Sequence, residues 1–213
     1  VTGYNNIILL IPESEKHDFD TRNLPERTLV YYVNEYGNGY LFQQWCKVNA
    51  ASYSHADFIL FADSDCIFDH PINLQDFIPL PEILYTSYTQ LPDAIIWQKP
   101  TEKIIGDSIE WEFMRRNCLI YHRSTLVNLN NWNTGLEKII MSSHRFSEFN
   151  LIGAYSWKFE RDKYNFVNTD NWQYVDPKSI QVWSHASKEP GADDLHLREY
   201  IRILETLLKA FAI

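Results

Sequence analysis

Residues 58–62, Phe-Ile-Leu-Phe-Ala, have the length and composition of a strand sheltered on both faces, and the run stops at two aspartates one residue apart, Asp63 and Asp65. In an open α/β sheet, ligands bind outside the carboxyl ends of the strands. Two carboxylates at such an end repel each other unless something positive sits between them. A divalent cation is the usual answer, because hard cations take oxygen ligands. The other reading is an acidic turn after a core strand, with Asp63 capping a helix. The residues that follow, Cys66, Ile67 and Phe68, return at once to apolar character, which a solvated turn rarely does.

The flanking segments supply the rest of an α/β domain. Residues 6–11 read as a first buried strand, ended by Pro12 and Glu13, and residues 14–27 as a polar loop. Residues 29–33, Leu-Val-Tyr-Tyr-Val, read as a second strand, followed by a turn with Gly37 and Gly39. Over residues 40–52 the apolar positions Leu41, Trp45, Val48 and Ala51 recur at helical spacing, with Gln43, Gln44 and Lys47 on or beside that helix. Strand, loop, strand, helix, strand is the opening of an α/β domain with a parallel sheet. Beyond it, residues 83–89, 94–97 and 118–121 read as strands and 99–106 as a loop. Residues 124–131 and 136–141 read as helical. Ser147 is placed to cap a helix running to about residue 157. Residues 181–185 read as a last strand. Asp193 or Asp194 then caps a final helix, in which Leu197, Tyr200, Ile201, Leu204, Leu207, Leu208 and Phe211 follow the helical period.

A length of 213 residues fits one domain, and no repeat or linker divides it. A net charge of -9 argues against a nucleic-acid groove, which needs clustered Lys and Arg, but not against a nucleotide whose phosphates are met by metal and backbone. Cys46, Cys66 and Cys118 are odd in number and lack metal-ligand spacing, which points to reduced thiols and a cytoplasmic setting. No apolar run approaches a membrane span. The sequence starts without Met and almost directly in a strand, as a domain cut from a longer chain would.

The Asp-x-Asp pair closing a middle strand resembles the metal-binding motif of GT-A glycosyltransferases. More narrowly, Gly39-Tyr-Leu-Phe-Gln-Gln-Trp-Cys-Lys47 followed by residues 56–65 resembles a bacterial and viral branch of that superfamily, in which a Gln-Gln-x-x-Lys helix precedes the motif strand. The resemblance implies a Rossmann-like central sheet, mixed but mostly parallel, flanked by helices. It also implies a UDP-sugar donor, a glycan acceptor, and Mn2+ or Mg2+ as cofactor. Asp65 would clamp the ion with Asp63 alongside, and His185 would be the third ligand. The ion would stabilise the nucleoside diphosphate leaving group. The donor would meet Ile11, Pro12 and Glu13 at the end of the first strand, together with Arg22, Gln44, Lys47, Asp63 and Ser64. Glu148, opening a helix, would be the base of an inverting transfer, with Glu112 as fallback. Trp111, Glu112 and Arg115 would line the acceptor side. If the chain is viral, the cytoplasm is the host's.

Each assignment has a plainer counterpart. His185 reads equally as a loop histidine bonded after a strand, and Arg22 as an exposed loop arginine. Gln44 and Lys47 suit any solvated helix face. Glu148 suits the first turn of any helix, where the helix dipole favours its ionised form and so makes it a weaker base. Two other functions stay open. A haloacid-dehalogenase-like phosphatase also places Asp-x-Asp after a buried strand, although that family has Thr or Val where Ile67 stands and its motif usually opens the domain. A non-catalytic carbohydrate-binding domain would account for the 7 Trp and 13 Tyr.

Overall fold

The computed structural model describes residues 2–63, 66–67, 73–114, 119–170 and 180–181. In chain order the elements are β1 (Ile7–Pro12), β2 (Thr28–Val33), α1 (Gly39–Val48), β3 (Phe58–Phe61), β4 (Cys66–Ile67), β5 (Glu82–Ser87), α2 (Gln98–Ile105), β6 (Trp111–Glu112), β7 (Leu119–His122), α3 (Arg123–Trp132), α4 (Leu136–Met141), α5 (Glu148–Phe159), β8 (Asn165–Asn168) and β9 (Ile180–Gln181). None of the helices among the described residues is long and apolar enough to cross a membrane.

The chain is mixed α/β, with its strands in small sheets of mixed orientation. β1 and β2 pair in parallel, from Ile7 opposite Thr28 to Pro12 opposite Val33. β3 pairs antiparallel with β7, from Phe58 opposite His122 to Phe61 opposite Leu119. β4 pairs antiparallel with β9. β5 is the centre of a three-stranded sheet, antiparallel to β6 and parallel to β8. The sequence predicts one mostly parallel sheet, whereas these ladders are separate among the described residues. The apolar run of β3 looks sheltered on both faces, but each of its residues is only half-buried. β2 turns Leu29 and Tyr31 outward, so it has one wet face.

Two local readings are corrected. Residues 94–97 form part of a 3-10 helix, Pro92–Trp97, rather than a strand, and Ile95 and Ile96 are exposed. A short apolar run cannot be told from helix by composition alone. Residues 99–106 are the body of α2 and its cap rather than a loop. Pro100 sits in the first turn, where its missing N–H costs nothing. Gly106, at φ 72°, closes the helix in the left-handed conformation that glycine adopts without strain. Thr101, Ile104 and Ile105 bury one face beneath the charged Lys99, Glu102 and Lys103. Elsewhere the expected helices form. α1 ends at Val48 and continues as a 3-10 turn, Ala50–Ser52. The Ser147 hydroxyl accepts the Asn150 N–H at 3.2 Å, as an N-cap should. The strand expected at 181–185 is described only at its first residue, and the final helix lies outside the described residues.

The core is built around α5. Every residue from Glu148 to Ser156 is buried, so this part of the helix has no solvent face. α1, α2 and α3 pack against it. Its far end is fixed by a buried polar network. Thr125 Oγ1 donates to Glu160 Oε2, Asn128 Nδ2 donates to Glu160 Oε1 at 2.6 Å, and the Tyr164 hydroxyl lies 2.6 Å from Thr125 Oγ1 while accepting the His122 N–H. Burial works against the charge on Glu160, but these bonds and Lys163 outweigh it and hold the carboxyl below its ordinary value. At the other end Phe149 meets Phe61, with ring centroids 5.8 Å apart. The first turn of α5 therefore meets the carboxyl end of β3.

Gly153 lets α5 come close to Phe113, the residue after β6. A Cβ there would stand 2.3 Å from Phe113 Cβ and 2.4 Å from Phe113 Cγ, and Phe113 is itself almost wholly buried. Gly153→Ala should therefore destabilise the fold by about 1–3 kcal/mol through overpacking, although alanine is the better helix former by about 1 kcal/mol. Urea unfolding reads the difference, and a gain in stability would show that Phe113 has room to move.

Candidate functional site

The carboxyl end of β3, the outer turns of α1 and the first turn of α5 bring their polar side chains to one point. Gln44 and Lys47 are three residues apart on α1 and so share a face. Asp63 follows β3 by two residues, and Glu148 opens α5. Lys47 Nζ donates to Glu148 Oε1 at 2.8 Å and makes a second ion contact with Asp63 Oδ1. Gln44 Oε1 accepts the Glu148 backbone N–H at 3.0 Å. The ammonium also lies 4.9 Å from the centre of the Phe149 ring. The side chains of Glu148, Lys47 and Asp63 are 3%, 13% and 26% exposed, so solvent reaches the group through Asp63.

Burial sets the ionisation of this string. It pushes the Glu148 carboxyl above its ordinary value; Lys47 pulls back, and the charge on Asp63 adds to the rise. The helix terminus was expected to make Glu148 a weak base, but desolvation wins and makes it a stronger one. For Lys47, burial opposes the charge, yet Glu148 and Asp63 together outweigh it and the ammonium is held above its ordinary value. The group is thus a carboxylate–ammonium–carboxylate string in which each ion has an opposite neighbour.

The remaining candidates are distributed more widely. Ile11 is buried at the end of β1, so what it and Pro12 offer a ligand is backbone. Glu13 enters a 3-10 turn and pairs with Lys16 at 3.0 Å. Arg22 closes a two-point pair with Asp20 at the surface, Nε to Oδ1 at 2.9 Å and its terminal nitrogen to Oδ2 at 2.8 Å. Among the described residues, no hydrogen bond or ion pair joins Glu13 or Arg22 to the Lys47 cluster. Glu112 is fully buried on β6, and its Oε1 accepts the Met114 N–H at 3.0 Å. Glu112 and Glu148 bear on one hydroxyl, that of Tyr121. Burial raises this hydroxyl well above its ordinary value, and the charges of Tyr164, Glu148 and Glu112 raise it further. Trp111 packs edge-on against Tyr85 at 4.9 Å and lies 6.3 Å from Trp157, so it belongs to an aromatic layer under α5. Ser64, Asp65, Arg115 and His185 lie outside the described residues.

Three contributors were not singled out from the sequence. The Tyr40 hydroxyl donates to the Phe146 carbonyl at 3.0 Å. Asn150 Oδ1 accepts the Phe113 N–H at 2.7 Å and so fastens β6, with Glu112, to α5. Phe149 supplies the ring beneath Lys47. Only Tyr40 carries a signal in the sequence, since it shares a helical face with Gln44 and Lys47.

Among the described residues no group of three His, Cys, Asp or Glu side chains could hold a metal ion. Asp63 alone of the expected ligands is described. It is partly exposed and has one carboxylate oxygen beyond the Lys47 contact, which is the donor type a hard cation takes. Any further ligand for an ion here would come from outside the described residues.

No protein-family model, curated protein sequence or solved structure matches this chain.

Proposed function

We propose that the chain is a GT-A-type glycosyltransferase that moves a sugar from a UDP-sugar donor to a hydroxyl of a glycan acceptor with inversion. One observation carries the reading: Gln44, Lys47, Asp63 and Glu148, taken from three separate stretches of sequence, meet at the carboxyl end of β3. In the open α/β sheet that the reading implies, ligands bind in that position. In the reaction the acceptor oxygen bonds to the anomeric carbon, its proton passes to Glu148, and the bond from that carbon to the diphosphate breaks to release UDP. Burial raises the proton affinity of Glu148, which suits it to take the proton. A Mn2+ or Mg2+ ion held by Asp65, with Asp63 beside it and His185 as a further ligand, would neutralise charge on the departing diphosphate. The cytoplasm supplies such donors and suits the reduced thiol of Cys46.

Calorimetry with a panel of nucleotide-sugars, in manganese and in EDTA, tests this directly. UDP-sugar binding should require the ion, and Asp65→Ala should remove that requirement together with most of the affinity. Equal UDP affinity in manganese and in EDTA would refute the metal role. Binding of glycan without nucleotide would favour the carbohydrate-binding reading. The contact of Lys47 with Asp63 also suits an aspartyl nucleophile steadied by an ammonium, so trapping of an aspartyl-phosphate at Asp63 would favour the phosphatase instead.

A further inference from the structure

The resemblance to GT-A glycosyltransferases implies that Gln44 and Lys47 face the donor. In the folded chain their polar atoms are turned inward. Tyr40, Gln44 and Lys47 fall at i, i+4 and i+7 of α1 and hold in turn the Phe146 carbonyl, the Glu148 N–H and the Glu148 carboxylate. All three contacts land on residues 146–148, the turn that opens α5. Gln44 is 6% exposed, and its carbonyl oxygen is committed to a backbone amide. The second contact of Lys47 is with Asp63.

We propose that Gln44 and Lys47 are positioning residues: α1 grips the first turn of α5, and Lys47 locks the Glu148 carboxylate to Asp63, so that the acceptor-side base and the motif strand move as one unit. The inference rests on the glycosyltransferase reading of Glu148 and Asp63. A base must sit within hydrogen-bond reach of the proton it takes, and a misplacement of about 1 Å can cost about a hundredfold in rate. The grip meets that demand from the backbone side through Gln44 and from the side-chain side through Lys47.

Two variants of the full chain test it. Gln44→Met keeps the length of the side chain and removes the acceptor. Lys47→Arg keeps the charge, and with it the fold, but replaces a point ammonium with a planar fork. Hydrogen exchange at the Glu148 amide should quicken about tenfold or more in Gln44→Met, because its bond is gone. In both variants kcat should fall by about 10–100-fold, while the donor dissociation constant in manganese stays within about threefold of wild type. Donor affinity weakened about tenfold or more at unchanged kcat would make these residues donor ligands and overturn the proposal. Unchanged Glu148 exchange in Gln44→Met, beside normal donor binding by the wild type, overturns the grip alone. A wild-type chain that binds no nucleotide-sugar instead overturns the glycosyltransferase reading and the role of Glu148 with it.

Discussion

Lys47→Met is expected to be the most damaging single change for stability at this site, costing about 3–5 kcal/mol at neutral pH. The residue is nearly buried between Glu148, which is more buried still, and Asp63. Methionine matches its volume, so the loss is electrostatic. Two carboxylates are left facing each other, one of them only 3% exposed. Removing one member of a buried pair is severe because it leaves an uncompensated charge. The loss should also depend on pH. Glu148 already titrates above its ordinary value because it is buried, and Lys47 opposes that rise. Without Lys47 the carboxyl rises further. A group whose value is raised in the folded state contributes stability that is fully present below its unfolded value and is lost as pH climbs through the folded one. The variant should therefore approach wild-type stability at acid pH, below the unfolded carboxyl value, and fall away at alkaline pH, above the raised folded one. Urea unfolding at the two pH values reads this directly, and an equal loss at both would mean that the string does not carry the charge described.

Glu148→Gln should have the largest effect on activity, lowering turnover by about two to four orders of magnitude, the usual size of a general-base contribution. The amide keeps the shape of the side chain and its place under Gln44, and Lys47 retains Asp63 as counter-ion. Donor affinity should consequently hold. Stability should change by only about 1 kcal/mol, because the lost ion contact is offset by relief of the carboxylate's desolvation. A capping role makes the opposite prediction, with activity near normal and the change confined to melting. One variant, measured for donor affinity, unfolding and transfer rate, separates the two. The anomeric configuration of the product by NMR is an independent check. A retained configuration rules out single-step attack assisted by Glu148, whatever the variant does.

The parts of this site that were legible in the sequence are those encoded locally. The apolar run before Asp63 is a strand, and the face of α1 bearing Gln44 and Lys47 is helical. Ser147 caps α5 at the residue its chemistry indicates. Residues 94–106 were misread because local signals conflict there. An apolar run at 94–97 suggested a strand, while the spacing of Thr101, Ile104 and Ile105 ahead of Gly106 marks the helix that was read as a loop. The ladders of β3 and β7, and of β5 with β6 and β8, depend on partners far along the chain, so local pattern could not fix their direction. The same holds for the ion string. Lys47 and Glu148 are 101 residues apart, and nothing in either neighbourhood announces the other. Burial of Glu148 follows from the enclosure of α5, and it reverses the expected acidity against the pull of Lys47.

The enclosure of α5 has a consequence for synthesis. A ribosome delivers the chain from its amino end, so α1, β3, α2 and α3 emerge before the helix they are packed against. Until residues 148–156 follow, Leu41, Ile104, Leu126 and Phe113 have no common surface to cover, and Lys47 has only Asp63 for company. Closing contacts over such long separations carries a loop-closure cost that local helix formation does not repay. The carboxylate that completes the site is therefore also part of the segment that shuts the core.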